Sequence, residues 1–489
     1  MKISSGLFGV LTLHCAQSWA LSGEAKAMVE DSTAWMDKFY DPKISQLYDL
    51  ESKAAMNHET LASTWYAVGL LARNGDGDAS KAEGIIKYII NDQQKNPKDL
   101  WYGDYTREPE EPTVGTSWYP ARAYGSWDPN WRGFIGDDNM TQAGEDYAKE
   151  IIDLFDMHDT LSEFNSATYT GISLFGLTLW CKYAHEDSIL SKRGPDLLRG
   201  VWNYTSQLWN PKMRNLAGPW DRSYSLDMTK SLGILSHFLA PIIGRKEAGV
   251  WQYPEAMSHA RDWAWAPLIA VHSEFHNSLL SDDVKESLKT LDGEKIYNGK
   301  AYYPPYDLDT RNITAWLSES LMIGAQSYRT KSANGPSNNK GQFHPAVAHW
   351  AYGNDNIGWL SLRPTEAHVL MQVSPNKLKV TYPKGTSSSV FTFIVSPSLA
   401  KRDVKSWADI QGISIYVSGN TNPVPQITFA GRYGGSGSPI YDQNYWNFVH
   451  TMPAVFEGNP EITIEFESAS AENHLLTDNR QAESEYSDL

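Results

Sequence analysis

The period of the hydrophobic pattern changes along this chain, and this change limits the possible folds more than any other feature. From about residue 22 to residue 332, apolar residues recur every three or four positions, as in ETLASTWYAVGLLARNG, AGEDYAKEIIDLFDMH and TGISLFGLTLWCKYA. After about residue 341 the pattern becomes short alternating runs rich in β-branched residues, such as KLKVTY, SVFTFIVS and EITIEFES. The sequence therefore predicts a helical domain followed by a β domain.

The domain boundaries are predicted from composition. Residues 330–342 read TKSANGPSNNKGQ, which is typical of a linker. We expect a helical domain at 21–332, a β-sandwich domain at 333–470 and a disordered acidic tail at 471–489. The predicted fold class is mainly α, an (α/α) helical toroid followed by a C-terminal antiparallel β-sandwich. A plain helix bundle would give the same periodicity in the first part.

The first 20 residues, MKISSGLFGVLTLHCAQSWA, have the pattern of a secretory signal peptide. Lys2 precedes a short apolar run, and small residues lead up to Ala20. The sequence contains no second run of about 20 apolar residues, so we expect a secreted soluble protein without a membrane partner. Three N-glycosylation acceptor sequences fit this expectation, at Asn139, Asn203 and Asn312.

Charge and aromatic content narrow the class of partner. The net charge of −16 argues against nucleic acids and anionic membrane surfaces as partners. The chain has 19 Trp and 26 Tyr residues, and exposed aromatic rings stack on the apolar faces of sugars. The alternative is that these rings fill wide helix interfaces. We expect carbohydrate contact.

Functional groups concentrate at four loop-to-helix junctions of the helical part. They are His58 and Glu59; Arg122, Tyr124, Trp127, Asp128, Trp131 and Arg132; Glu163, Asn165 and Tyr169; and Trp220, Asp221, Arg222 and Tyr224. Junctions of separate helical hairpins can converge on one face. The sequence therefore predicts one cleft lined by these groups.

The segment DRSY, with Arg222 and Tyr224, indicates a possible proton-transfer site. A permanent positive charge near a phenol favours the phenolate, which makes the tyrosine a usable base and acid. β-Elimination in a uronic-acid polymer requires neutralisation of the C5 carboxylate, removal of the C5 proton and protonation of the departing O4. Asn165 and Arg222 can hold the carboxylate, and Tyr224 can transfer the protons. The structural alternative is an Asp221–Arg222 pair that fastens a loop.

A histidine could assist this chemistry, and several are available. His58 lies at a helix start, and His344 lies near the predicted domain junction, so we rank both slightly above His237. The other possibilities are His259, His272, His276 and His349. Each histidine has the alternative of a core or surface position.

A hydrolase would instead use a pair of carboxylates. The candidate pairs are Glu163 with Asp221 and Asp128 with Asp138, although acidic residues at helix starts are also favoured by the helix dipole. The sequence has no phosphate-binding loop, nucleophile elbow or HExxH motif. The segment GDGDAS at 75–80 resembles part of a calcium loop but lacks its twelfth-position Glu, so we predict a turn there and no metal or cofactor, with a calcium ion as the alternative.

The segments SEFNSATYTGISLFGLTLW and GPWDRSYSLDM, together with the predicted architecture, resemble those of toroid-type polysaccharide lyases that cleave alginate, glucuronan and related polyuronides. The resemblance implies a Tyr that acts as base and acid, assisted by Asn, His and Arg. It assigns these roles to Tyr224, Asn165 and Arg222, and it leaves the His unassigned. The same toroid also carries glycoside hydrolases, so the fold does not decide the reaction.

The sequence thus predicts a secreted lyase that acts on an acidic polysaccharide. The predicted substrate contacts are Trp127, Trp131, Arg132, Tyr169, Trp220 and Glu163. The alternatives are a toroid glycoside hydrolase that uses a carboxylate pair and a non-catalytic carbohydrate-binding protein.

Overall fold

The structure is a computed structural model. It describes residues 19, 21–50, 57–96, 98, 104–114, 138–223, 232–249, 259–331, 342–352, 356–398, 403–433 and 443–468. Within these ranges no helix is long and apolar enough to cross a membrane.

The described helices lie in the first 287 residues, apart from one short 3-10 helix. The α-helices are α1 (Gly23–Met36), α2 (Thr60–Arg73), α3 (Asp78–Asp92), α4 (Asp138–Asp156), α5 (Ala167–Tyr183), α6 (Ile189–Leu208), α7 (Gly233–Ile243), α8 (Ala266–Ala270), α9 (Ser273–Ser278) and α10 (Asp282–Ser287). The 3-10 helices span Asp37–Phe39, Ala260–Trp265 and Trp407–Asp409.

Local sequence explains where these helices begin and end. Helix α1 begins after Ser22, whose hydroxyl accepts a hydrogen bond from the N–H of Ala25. Helix α2 ends at Asn74, which adopts the left-handed conformation (φ 53°) while its N–H donates to the carbonyl of Leu70.

The helices pack around a shared apolar core. Helix α2 packs against α3, and α5 packs against both α6 and α7. Fully buried side chains at the centre include Tyr66, Trp202 and Phe238. Aromatic rings therefore fill the interfaces between helices, which was the alternative to sugar contact.

Most of the described strands form one antiparallel sheet. Two small pairings precede it: β1 (Tyr40–Asp41), β2 (Gln46–Tyr48) and β3 (His58–Glu59), and then β4 (Trp209–Asn210) with β5 (Asn215–Leu216). The large sheet contains β6 (Lys295–Ala301), β7 (Arg311–Leu317), β8 (Leu321–Arg329), β9 (Ala346–Tyr352), β10 (Asn356–Arg363), β11 (His368–Ser374), β12 (Lys377–Thr381), β13 (Val390–Ser398), β14 (Ile413–Gly419), β15 (Gln426–Tyr433), β16 (Gln443–Thr451) and β17 (Glu461–Ser468).

The order of strands in this sheet is β14-β17-β12-β11-β8-β9-β10-β13-β16-β15, with β7 paired to β8 and β6 paired to β7. The pairing is continuous through all 12 strands, and the sheet curls into a half-barrel. This curled sheet replaces the two packed sheets of the predicted sandwich.

The predicted fold class, a mainly α toroid followed by a sandwich, is wrong. The structure is 38% helical and 28% strand. Strands β6, β7 and β8 lie before residue 332, in the part predicted to be helical. The arrangement of the described helices shows no (α/α) toroid.

The burial of β8 explains the error. One face of this part of the sheet packs on the helical core through side chains such as Met322 and Val347, and the other face packs on the sheet core through Ile323 and Ala325. A strand buried on both faces has no alternation of apolar and polar residues, so its period cannot be distinguished from that of a buried helix segment.

Candidate functional site

Asn165 fixes the loop that precedes helix α5. Its backbone is left-handed, with φ 51°, a conformation that Asn tolerates better than most residues. Its side chain is buried, and the amide Nδ2 donates hydrogen bonds to the carbonyl oxygens of Ala217 (2.7 Å) and Pro219 (2.8 Å). The amide group that was predicted to hold a substrate carboxylate therefore joins two loops of the protein.

Asp221 forms a fully buried ion pair with Arg311 of β7. Nη1 of Arg311 lies 2.6 Å from each carboxylate oxygen. Gln326 Nε2 donates to Oδ1 (2.7 Å), and the N–H of Phe164 donates to Oδ2 (2.6 Å). A buried ion pair is stable when several such hydrogen bonds satisfy it. The pair attaches the loops before α5 to the sheet, and it encloses Asp221.

Arg222, predicted as a possible partner of Asp221, instead pairs with Glu163. Its Nη2 lies 3.0 Å from Glu163 Oε2. Its Nη1 donates to the hydroxyl of Tyr169 (3.3 Å), and its guanidinium carbon lies 4.8 Å from the centroid of the same ring. Burial raises the pKa of Glu163, and the Arg222 charge opposes this rise. The structure thus brings together three of the predicted residues.

A second group of side chains centres on Asp262, which is buried in the 3-10 helix Ala260–Trp265. Its Oδ1 lies 2.5 Å from Nδ1 of His259, and its Oδ2 accepts a hydrogen bond of 2.6 Å from the hydroxyl of Thr168. A carboxylate at Nδ1 favours the tautomer with the proton on Nδ1, which makes Nε2 the basic nitrogen. The side chain of His259 is 28% exposed. The pair has the geometry of a histidine base oriented by an aspartate.

Gly233 leaves the space that Asp262 occupies. A Cβ atom at this position would lie 2.2 Å from Asp262 Oδ2 and 2.5 Å from Thr168 Oγ1. The backbone of Gly233 is also left-handed, with φ 48°. Helix α7 can therefore begin against this carboxylate only because residue 233 has no side chain.

The first turn of helix α5 connects the two groups. Thr168 contacts Asp262, and the next residue, Tyr169, contacts Arg222. One helical turn therefore carries both Thr168, which holds the aspartate partner of His259, and the ring on which Arg222 lies. We name the set Glu163, Tyr169, Arg222, His259 and Asp262 the arginine–histidine cluster.

A further cation lies on the same 3-10 helix as Asp262. Arg261 forms an ion pair with Glu59, which is buried at the start of helix α2. The guanidinium carbon of Arg261 lies 5.4 Å from the centroid of the Trp65 ring. Glu59, one of the sequence candidates, thus holds a second arginine two residues away from His259.

His58, one of the two histidines ranked above His237, lies between two carboxylates. Its Nδ1 pairs with Glu110, its Nε2 lies 3.4 Å from Asp41 Oδ2, and its ring stacks on Tyr48 at 4.2 Å. The side chain is 8% exposed. Its contacts with Asp41 and Tyr48 fix the ring against strands β1 and β2.

His344 and Trp220 are paired through their backbones in an isolated bridge, with N–H to carbonyl distances of 2.9 and 2.8 Å. His344 is buried, and its Nδ1 lies 2.7 Å from the hydroxyl of Ser361. Trp220 is fully buried, so its ring has no exposed face for a sugar. Both residues join the loop before Arg222 to the sheet.

His237 is a buried core histidine. Its ring lies 5.4 Å from that of Trp263, and burial lowers the pKa of His237 to about 4. It is therefore neutral at pH 7.

Several predicted residues lie outside the described part of the chain. They are the proposed proton-transfer residue Tyr224, the predicted sugar contacts Trp127, Trp131 and Arg132, the loop residues Arg122 and Tyr124, and Asp128 of the alternative carboxylate pair. The backbone of Asp138 lies at the start of α4, but its side chain is outside the description.

The sequence reasoning missed the roles of Asp262, Thr168 and Arg261. It named His259 only as one of several possible histidines. The spacing of His259 and Asp262 in SHARDWAW was an available signal, because residues three apart on a helix face one another. The contact between Thr168 and Asp262 spans 94 residues, so the local pattern contained no signal of it.

No group of three or more His, Cys, Asp or Glu side chains suited to a metal ion occurs among the residues that the structure describes. The arginine–histidine cluster itself offers one arginine, one oriented histidine, one phenol and two carboxyl groups, and Arg261 lies two residues from its histidine.

Comparison with known families identifies both parts of the chain. A family described as "Domain of unknown function (DUF8769)" matches residues 26–138 and 135–274, which together make up just over half of the chain. This chain belongs to the DUF8769 family. A second family, "Domain of unknown function (DUF8770)", matches residues 293–467, the part that contains the large sheet. No curated protein matches the chain.

The arginine–histidine cluster lies within the DUF8769 part. Arg311, which pairs with Asp221 next to Arg222 in the chain, lies within the DUF8770 part. The two descriptions name no activity, so the chemistry of the cluster is the basis for a functional proposal.

Proposed function

We propose that this protein is a secreted lyase that cleaves a uronic-acid-containing polysaccharide by β-elimination. The observation that carries the proposal is the first turn of helix α5, where Tyr169 supports Arg222 and Thr168 supports the Asp262–His259 pair. β-Elimination requires a cation for the carboxylate together with groups that take up and supply protons, and the arginine–histidine cluster contains both.

Arg222 is the proposed carboxylate clamp. Its guanidinium is held by Glu163 and by the face of Tyr169, which orients its fork before a substrate binds. A carboxylate neutralised in this way makes the C5 proton of the uronate more acidic. Arg261 is a second cation, two residues from His259, on the 3-10 helix that carries Asp262.

His259 is the proposed base. Its Nε2 removes the C5 proton, a C4–C5 double bond forms, and the C4–O4 bond breaks. Asp262 stabilises the imidazolium that results, as a buried carboxylate does for a catalytic histidine. A tyrosine hydroxyl supplies the proton to the departing O4. Tyr169 and Tyr224 are the two candidates for this step, and Tyr224 lies outside the described residues.

A glycoside hydrolase is the second candidate, because burial raises the pKa of Glu163 and a general acid needs a raised pKa. In the predicted carboxylate pair, Glu163 with Asp221, the second member is fully buried. Asp221 is enclosed by Arg311, Gln326 and the backbone of Phe164. A non-catalytic carbohydrate-binding protein is the third alternative.

The experiment is to incubate the purified protein with glucuronan, alginate and pectate while recording ultraviolet absorbance and new reducing ends. The proposal predicts that both signals rise together on at least one polymer, because elimination leaves a conjugated double bond. New reducing ends without absorbance would overturn the lyase proposal in favour of hydrolysis, and loss of that activity in Glu163→Gln would then identify the acid. Binding without either product would indicate a carbohydrate-binding protein.

Matched variants assign the roles. Arg222→Gln should abolish most of the activity, whereas Arg245→Gln, which removes a surface arginine paired with Asp31, should not. Tyr169→Phe and Tyr224→Phe separate the two proton donors. Tyr183→Phe, at the other end of helix α5, is the control.

A further inference from the structure

A cavity of about 740 Å³ opens between helices α4, α6 and α10 and strand β6. Its walls include Phe155 at the end of α4, Asn203 and Gln207 on α6, and Tyr297 and Asn298 on β6. This volume lies within the range of about 300 to 1,000 Å³ that small-molecule sites have. The cavity also lies where the helical part meets the sheet, a common place for binding sites.

The cavity is separate from the arginine–histidine cluster. No residue of the cluster lines it. Fully buried Phe164 lies between the two, because its ring packs on Tyr204 and Tyr297 of the cavity wall (5.3 and 6.3 Å) while the preceding residue, Glu163, pairs with Arg222.

The cavity wall carries two arginines and three carboxylates. Arg193 donates two hydrogen bonds to Asp156, at 3.0 and 2.6 Å, and Arg199 pairs with Asp196. Asp159 adds another carboxylate to the wall. Both arginine charges of the wall are thus matched by carboxylates, and the wall has no surplus positive charge to attract a phosphate or a uronate.

His158 does not change this balance. Burial lowers the pKa of His158, and the charge of Lys300 lowers it further, so both disfavour a positive charge on its ring. The ligand that fits the wall is therefore polar but carries no negative charge.

The uncharged groups of the wall match the two surfaces of a sugar. Asn203 and Gln207 are exposed and four residues apart on α6, so both amides face the cavity from one side. Asn298 lies on β6, across the cavity. Amides donate and accept hydrogen bonds at once, as sugar hydroxyls require. The half-buried ring of Tyr297 offers an apolar face for the C–H face of a pyranose.

We propose that this cavity binds a neutral saccharide. The site goes beyond the proposed uronate cleavage and does not depend on it. The saccharide has two possible sources. One is a free neutral glycan. The other is a sugar attached to the protein itself, because Asn203 begins the glycosylation acceptor sequence Asn203-Tyr204-Thr205 and its side chain faces the cavity.

The test is calorimetric titration of the full chain, produced in a bacterial host that attaches no N-glycan, with cellohexaose, mannohexaose and chitohexaose. We expect saturable binding of at least one of them and at least tenfold weaker binding of hexaglucuronate. Asn203→Trp and Gln207→Trp place a large ring in the cavity and should weaken binding at least tenfold. Lys192→Trp makes the same change at an exposed position of α6 outside the cavity and should leave binding unchanged.

Absence of saturable binding by the unglycosylated protein would overturn the proposal, and so would undiminished binding by both cavity variants. Protein produced in a glycosylating host distinguishes the two sources of the saccharide. If that protein carries a glycan on Asn203 and no longer binds the free sugar, while Asn203→Gln from the same host binds it, the attached glycan occupies the cavity. If the protein from both hosts binds, the occupant is a free saccharide. Elimination activity can fail or succeed independently of each result.

Discussion

The helical region and the large sheet differ in how they bury polar groups. In the helical region, buried acidic side chains lie where the backbone leaves regular structure: Glu59 precedes α2, and Asp262 lies in a 3-10 helix. Among the described strands of the large sheet, the buried polar side chains are amides, hydroxyls, imidazoles and the guanidinium of Arg311, and none is a carboxylate. Ladder hydrogen bonds already satisfy a strand backbone, whereas loop and helix-end groups need side-chain partners. Chemistry therefore concentrates at the helix junctions.

The sheet makes one major polar contribution to the helical region. Arg311 and Gln326 project from β7 and β8 onto Asp221. The loop that carries Arg222 thus depends on the sheet for its position, because Asp221 is the residue before Arg222.

The largest effect should come from Arg311→Met. Removal of one partner from a fully buried pair leaves Asp221 and Asp307 without a counter-charge, and we expect a loss of about 3–5 kcal/mol in the free energy of unfolding. Urea denaturation measures it. The control is Arg329→Met, since Arg329 of β8 forms an exposed pair with Asp309 and should cost about 0–1 kcal/mol. Equal effects of the two variants would contradict the role given to the buried Arg311–Asp221 pair.

The second prediction concerns acid. Burial lowers the pKa of His276 to about 3, and its neutral ring accepts a hydrogen bond of 2.9 Å from Trp202 Nε1. Because the folded pKa lies below the unfolded value of about 6.5, this stability is fully present above pH 6.5 and is lost as the pH falls toward 3. His276 alone should contribute a decrease of about 1.4 kcal/mol per pH unit between pH 6 and 4.

Urea denaturation at several pH values measures this slope. We expect His276→Gln to reduce it by that amount and His185→Gln, at an exposed histidine, to leave it unchanged. An unchanged slope in His276→Gln would show that this histidine titrates alike in the folded and unfolded chain.

The third prediction is that Gly233→Ala displaces Asp262. The added Cβ would overlap Asp262 Oδ2 and Thr168 Oγ1. We expect a loss of about 1–3 kcal/mol in stability together with loss of elimination activity. Gly176→Ala, in the interior of α5 with no atom within 4 Å of the new Cβ, should instead stabilise by about 0.5–1 kcal/mol. A fully active and stable Gly233→Ala protein would sink the role given to Asp262.

The smallest effect should come from the outer part of the sheet. Lys377 of β12 pairs across strands with Glu465 of β17 at 2.7 Å, and both side chains are exposed. Lys377→Ala should cost about 0.2–1 kcal/mol in unfolding free energy, and less at high salt. A loss above 2 kcal/mol in unfolding free energy would contradict the claim that exposed ion pairs stabilise the protein much less than the buried pair of Arg311.

Much of the local structure could be predicted from the sequence, but the global fold could not. The runs KLKVTY and EITIEFES are strands β12 and β17, and the segment ETLASTWYAVGLLARNG forms helix α2. Alternation and three-to-four spacing were reliable there because these elements are exposed on one side. The pattern failed at β8, which is buried on both sides, and it contained no information on how strands join into one sheet.

The candidate site was predictable only in part. Glu163, Tyr169 and Arg222 were recognised by residue type and by their place at helix junctions, and the structure brings them together. Asn165 and Asp221 have the right chemistry, but backbone carbonyls and Arg311 bind them. These partners lie more than 50 residues away along the chain, so a local pattern could not reveal them.

The most direct test of the account is the initial rate of ultraviolet absorbance on glucuronan for the wild-type protein, His259→Gln and His185→Gln. His185 also lies near an aspartate, Asp187 at 3.6 Å, but on the exposed surface. The account predicts a rate at least about 100-fold lower in His259→Gln, as expected for loss of a general base, and a wild-type rate in His185→Gln. An undiminished rate in His259→Gln would contradict the central claim that the Asp262–His259 pair performs the proton transfer.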